Sequence, residues 1–100
     1  LAGILLDNAV KYSAPGSVIT LRLSREGGKA VLRVRNRCAQ PVEAPERLFD
    51  RFYRGDAART QSSGGIGLGL AIARSLAESM GGTLTAAMTG AEDIEFTAKL

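Results

Sequence analysis

At 100 residues, with 45% hydrophobic and 23% charged side chains, the chain is long enough for one core and too short for two. That balance excludes a disordered or collagen-like polymer, and no apolar run approaches the roughly 18 residues that a membrane-spanning helix needs. Thirteen basic against ten acidic residues leave a net charge of +3, scattered along the chain, so no nucleic-acid partner is expected and a local phosphate ligand fits as well. The single Cys38 excludes an internal disulfide and suits a reducing compartment. The absence of histidine removes a His metal site, a His general base and a phosphoaccepting His from this chain. Nothing at the start has the basic-then-apolar pattern of a signal peptide. The sequence opens on Leu1, inside an apolar helical pattern with no capping residue ahead of it, and reads as a piece of a longer protein.

In chain order, Ile4, Leu5, Leu6, Ala9 and Val10 recur near helical spacing and stop at Ser13-Ala-Pro-Gly16, which predicts a helix. Val18 to Leu23 alternates, Glu26-Gly27-Gly28 reads as a tight turn, and Ala30 to Val34 alternates again, which predicts a β-hairpin with one buried face. Arg37 to Pro45 holds two prolines and no periodicity, so a loop is expected there, followed by a short helix over Glu46 to Phe52 that buries Leu48, Phe49 and Phe52. Gly55 to Gly69 is polar and glycine-rich and runs into a helix whose apolar face comprises Leu68, Ala71, Ile72, Leu76 and Met80, with Gly81-Gly82 as its stop. Thr83 to Met88 and Asp93 to Leu100 predict a second hairpin. Paired strands broken by helices indicate one α+β domain, a two-layer sandwich of a mostly antiparallel mixed sheet with helices on one face.

Gly64-Gly-Ile-Gly-Leu-Gly-Leu70 is the most informative segment. Glycines at 65, 67 and 69 let the backbone approach a ligand, and the helix they open offers unsatisfied N–H groups and a positive dipole end to a phosphate. No Gly-Lys-Ser/Thr follows, so this is not a Walker loop, and the strand that a Rossmann fingerprint requires is missing. Close packing of helix on sheet, or a flexible hinge, is the plainer explanation of the same glycines. In Leu5-Leu-Asp-Asn-Ala-Val-Lys-Tyr-Ser13, Asn8 and Lys11 share a helix face. An Asn amide oxygen can ligate magnesium and a Lys can neutralise phosphate, although a solvated helix face places the same residue types there.

Together these blocks resemble the histidine kinases of two-component signalling, within the ATPase superfamily that includes gyrase and MutL. Leu5 to Ser13 looks like the family's N box, Leu48-Phe-Asp-Arg-Phe-Tyr-Arg-Gly-Asp56 like its F box, and Gly65-Ile-Gly-Leu-Gly-Leu-Ala-Ile-Ala73 with Gly81-Gly82 like its second glycine box. The F-box wording belongs to sensor kinases. The resemblance implies the Bergerat ATP-binding fold over residues 1–100, partial at its N-terminus. It implies ATP and Mg2+ as cofactors, with Asn8 as the magnesium ligand and Lys11 as a phosphate contact, the two catalytic candidates. Tyr12 would lie against the nucleotide, and Gly65, Gly67, Leu68 and Gly69 would line the triphosphate. Phe49 and Phe52 would anchor the near end of that loop, and Arg51 and Arg54 would reach phosphate or a partner unless they only serve a solvated helix face.

Two departures stand out. The family's Asp-x-Gly-x-Gly loop falls at Asn36-Arg-Cys-Ala-Gln40, with Asn36 at the adenine-reading position and Cys38 and Gln40 in place of glycines. Asn still accepts a hydrogen bond, but without charge, so weaker adenine selection is expected. Ile4 stands where the N box usually has a further Asn, and the strand and helix that normally precede that box are missing, so part of the sheet edge is expected to lie open. The implied function is transfer of the γ-phosphate of MgATP to a histidine on a separate dimerisation domain of the same protein, with a cognate response regulator downstream. The parent protein is expected to be homodimeric and membrane-attached, with this domain in the cytoplasm. The alternative is a degenerate, non-catalytic regulatory module of the same fold that binds ATP weakly or not at all.

Overall fold

A computed structural model of the chain describes residues 1–39, 42, 44–50 and 69–100. Helix α1 covers Ala2–Tyr12, free of proline and of any β-branched run, and buries Leu5 and Ala9, four residues apart on one face. It ends where Ser13 turns extended and its N–H still bonds the Ala9 carbonyl. Strands β1 (Thr20–Glu26) and β2 (Lys29–Arg37) form the first hairpin. Glu26 faces Lys29, so only Gly27 and Gly28 make the turn, with φ of 57° and 82°. Both are left-handed, the requirement of a type I′ turn that matches the strands' twist.

The short helix after the loop is a 3-10 turn, η1, over Pro45–Phe49 rather than the expected Glu46 to Phe52. Its proline presets φ at the first turn, and Asp50 is already extended. Helix α2 covers Gly69–Ser79, and strands β3 (Thr83–Met88) and β4 (Asp93–Lys99) close the chain. The sheet order is β1-β2-β4-β3 with all three ladders antiparallel. The α+β sandwich with a mostly antiparallel sheet is as expected, and every ladder among the described residues is antiparallel.

The registers stack three rows on the helix side: Leu21, Val34, Phe96, Ala86; Leu23, Leu32, Ala98, Leu84; and Asn36, Ile94, Met88. Val34, Phe96, Ala98, Leu84 and Ile94 are buried beneath the helices. Each large apolar side chain buried in this way contributes about 1.5–3 kcal/mol. The expected buried face therefore holds for β2 and not for β1, where Leu23 is 73% exposed because no described helix lies over the edge strand.

Helix α2 departs further from the expected pattern. It meets the core through Ala73 and Ala77, both fully buried, while Ile72, Leu76 and Met80 remain about half exposed. Two alanines four residues apart let the helix axis come close to the sheet, which swings the bulkier residues onto the flank. Gly81, at φ 79°, ends the helix, and the Gly82 N–H returns to the Ala77 carbonyl at 2.9 Å.

Candidate functional site

Two backbone bonds fix the end of α1 over the end of β2, and a third ties that end of β2 to the β3–β4 turn. The Ala14 N–H donates to the Arg37 carbonyl at 2.8 Å, the Ala39 N–H donates to the Tyr12 carbonyl at 3.2 Å, and the Cys38 N–H donates to the Glu92 carbonyl at 2.7 Å. An isolated bridge between Ser13 and Cys38 marks the junction. The last turn of α1, with half-buried Asn8 and exposed Lys11 and Tyr12, is thereby held beside Asn36 and Cys38. These contacts are backbone to backbone, so no side-chain signal in the sequence announces them.

The other wall is the first turn of α2. A Cβ placed on Gly69 would lie 3.8 Å from Ile4 Cγ2, so the N-terminus of α2 abuts α1 at Ile4. Asn8 is one turn further along the face that Ile4 begins. Asn8, Lys11, Tyr12, Asn36 and Gly69 thus gather around the α1–α2–β2 junction. Arg51, Phe52, Arg54, Gly65, Gly67, Leu68 and Gln40 lie outside the described residues.

Asn36 is the one buried polar side chain among the described residues, 2% exposed. Its Nδ2 donates to the Arg37 carbonyl at 3.1 Å, which orients the amide and leaves Oδ1 buried with no partner. An unsatisfied buried acceptor costs about 1–3 kcal/mol. Asn36→Leu is therefore expected to stabilise the ligand-free domain by about 1 kcal/mol, a rise of some 4–8 °C in a thermal melt. An unchanged or lower melting temperature would show that Oδ1 carries no such cost. Burial, with Asp93 adding to it, pushes the Cys38 thiol up, so it stays protonated and serves as a small neutral side chain.

An open depression of about 310 Å³ lies along Ser17, Val18, Thr20, Arg35, Asn36, Arg37 and Asp93. Thr20, Arg35, Arg37 and Asp93 share the sheet face turned away from the helices, so this hollow meets the residues gathered above only at Asn36. No group of three or more His, Cys, Asp or Glu side chains able to cage a metal occurs among the described residues.

Near the far side of α2, the Glu46 carboxylate accepts the Ala86 N–H at 2.9 Å through Oε2 and pairs with Arg74 Nη2 at 2.5 Å through Oε1. Desolvation pushes this carboxyl up, but the Ala86 N–H and the Arg74 guanidinium outweigh it and hold it below 4.5. A depressed folded value means that the stabilisation is whole above the ordinary carboxylate range and is lost as pH falls through the lower, folded value. Thermal melts across that acid range are expected to show a shallower decline for Glu46→Gln than for the unaltered chain. Part of the slope persists, because Arg33 and Ser24 likewise hold Glu26 low. Identical slopes would remove Glu46 from the acid response.

The family model for histidine kinase-, DNA gyrase B-, and HSP90-like ATPases matches residues 1–100. The chain belongs to that ATPase family. It is 42% identical over 89 residues to the probable sensor protein PcoS of Escherichia coli, covering 88% of this chain and 19% of that protein. It is 44% identical over 81 residues to the sensor protein IrlS of Burkholderia pseudomallei, covering 79% of this chain and 17% of that one. Full-length ShkA, crystallised in complex with AMPPNP, superposes with a TM-score of 0.67 at 32% identity over 96% of this chain and 20% of ShkA. The chain thus spans about a fifth of the length of these relatives, and its likeness is to the ATP-binding domain of sensor histidine kinases.

Proposed function

We propose that this domain binds MgATP and donates the γ-phosphate to a histidine on a separate dimerisation domain. The observation that carries the proposal is the junction at which the N-terminus of α2 at Gly69 packs on Ile4 of α1, one turn from Asn8 and two from Lys11, while the end of α1 is tied to the Asn36 end of β2. A helix N-terminus offers free N–H donors and the positive dipole end to phosphate, and Lys11 adds a mobile cation. The crystallisation of ShkA in complex with AMPPNP supports nucleotide binding by this domain.

With no acidic cage among the described residues, magnesium fits as an ion shared with the nucleotide. Asn8 would supply one oxygen, and water and phosphate the rest. Bound in that way, the ion offsets negative charge on the phosphates. The chain's residues orient the nucleotide and exclude alternatives; the acceptor nitrogen takes the phosphoryl group, the bond to the β-phosphate breaks, and ADP leaves. No base of this chain is needed, because the acceptor imidazole, on the separate domain, is itself the nucleophile. The parent protein is proposed to be a membrane-attached homodimer with this domain in the cytoplasm; the sensor relatives support a response regulator downstream.

The test is phosphotransfer from MgATP to the histidine-bearing domain of the parent protein, with and without Asn8→Ala. Labelled histidine that disappears in Asn8→Ala supports the proposal, and equal labelling removes Asn8 from it. One observation favours a second reading, a non-catalytic module: Asn36, which stands where the resemblance puts a carboxylate, has its acceptor shut away from solvent in the ligand-free domain. A folded domain that neither binds nucleotide nor supports labelling would decide for that reading.

A further inference from the structure

Arg74 makes three kinds of contact at once. Its Nε donates to the Leu84 carbonyl at 3.2 Å, its Nη2 donates to Glu46 Oε1, and its guanidinium carbon lies 4.2 Å from the centre of the Phe49 ring. Phe49 meets Phe96 edge to face at 6.0 Å, with the planes at 89°, which anchors the stack in the core. Glu46, in turn, takes the Ala86 N–H. The Leu84 carbonyl and the Ala86 N–H belong to β3, the edge strand, whose other side is paired with β4. Two charged side chains from different elements therefore occupy hydrogen-bonding positions on β3 that a neighbouring strand would otherwise take.

The spacing makes this more than an edge cap. Glu46 and Phe49 belong to η1, and Arg74 belongs to the second turn of α2, 28 residues later. The Arg fork is planar, so it fixes direction as well as distance, and Phe49 blocks its face. Helix α2 meets the core through the small Ala73 and Ala77 and the part-buried Leu70, and its exit is set at Gly82; the Arg74 clamp links its middle to β3 through polar side-chain contacts. Its first residue, Gly69, packs on Ile4, one turn from Asn8. A shift of α2 along its axis would carry its N-terminal amides away from Asn8 and Lys11.

We infer that Arg74, clamped by Glu46 and Phe49, is a positioning residue that sets the N-terminus of α2 against α1 and so tunes phosphate binding there. This inference rests on the nucleotide reading above. The clamp touches no phosphate itself and acts through the placement of a helix.

The experiment compares the unaltered chain with Arg74→Gln, Arg74→Lys and Glu46→Gln, all at partly exposed positions that a folded domain tolerates. Two readouts are taken below the melting temperature: calorimetric affinity for MgATP, and hydrogen exchange at the Ala86 amide and in the second turn of α2, whose amides are bonded within the helix. The expected result is faster exchange at both places and about a threefold to tenfold weaker affinity in Arg74→Gln and Glu46→Gln, with Arg74→Lys between them and the unaltered chain. Faster exchange confined to Ala86 with unchanged affinity would overturn the inference and leave only an edge cap. If the unaltered chain binds no MgATP, the nucleotide reading fails by itself. Exchange in the second turn of α2 then decides the clamp separately, and no change there would overturn it.

Discussion

Asn8→Ala is expected to weaken MgATP binding at least about 100-fold while leaving the free domain as stable as before. The two halves of that expectation have different physical sources. An outer-shell partner of a metal ligand is already worth about 10–100-fold in affinity, so loss of the direct oxygen reaches the upper end of that range or passes it. Asn8 is half-buried on α1, away from the fully buried Leu5 and Ala9, so its removal opens no cavity. Alanine is also the better helix former by about half a kcal/mol, which offsets what small packing is lost. Calorimetry and a thermal melt on the same sample check both halves. A large fall in melting temperature would mean that Asn8 supports the fold, and unchanged affinity would mean that it holds no ligand.

Gly82→Ala is expected to be the most damaging single-methyl change in the domain. A Cβ at Gly82 would sit 2.1 Å from the Lys99 carbonyl oxygen and 3.1 Å from Leu100 Cδ2. A backbone atom cannot step aside as a side chain can, so β4 or the end of α2 must move. Overpacking costs about 1–3 kcal/mol even where side chains can yield, and a clash with the main chain exceeds that range. The neighbouring Gly81→Ala meets no atom within 4 Å but holds φ 79°, so its cost is the left-handed strain of about 1–2 kcal/mol. Gly90→Ala meets nothing and has no left-handed φ, so it stays within about 0.5 kcal/mol. Urea denaturation of the three variants is expected to order them Gly82, Gly81, Gly90 from worst to mildest. A Gly82→Ala chain as stable as Gly90→Ala would contradict the close approach of α2's exit to β4.

The element order was legible because its signals are local. Alternation at Ile94, Phe96 and Ala98 and the Gly27-Gly28 turn depend on residues near one another in sequence, and the structure places strands and turn there. Helix faces were less legible. The large residues Ile72, Leu76 and Met80 mark an apolar stripe, yet α2 docks through Ala73 and Ala77, because close approach rewards small side chains that a hydrophobicity pattern undervalues. The exposure of Leu21 and Leu23 was equally hidden: alternation shows that a strand has an apolar face but not whether a helix reaches over it. At the site, Asn8, Lys11 and Asn36 stood out by residue type and motif. Their assembly depends on the Ala14 and Ala39 backbone bonds, and the Glu46–Arg74 pair joins residues 28 apart, so neither leaves a periodic trace.

Titration of MgATP into the folded domain, with Asn36→Asp beside it, tests the nucleotide site most directly. The unaltered domain is predicted to bind with one-to-one stoichiometry through a neutral acceptor at Asn36, and Asn36→Asp is predicted to bind more tightly, because a carboxylate accepts the base's amino group with charge assistance. Absence of binding heat and of any ligand-induced rise in melting temperature, in samples whose circular dichroism and cooperative melt show the fold intact, would contradict an ATP site at the α1–α2–β2 junction.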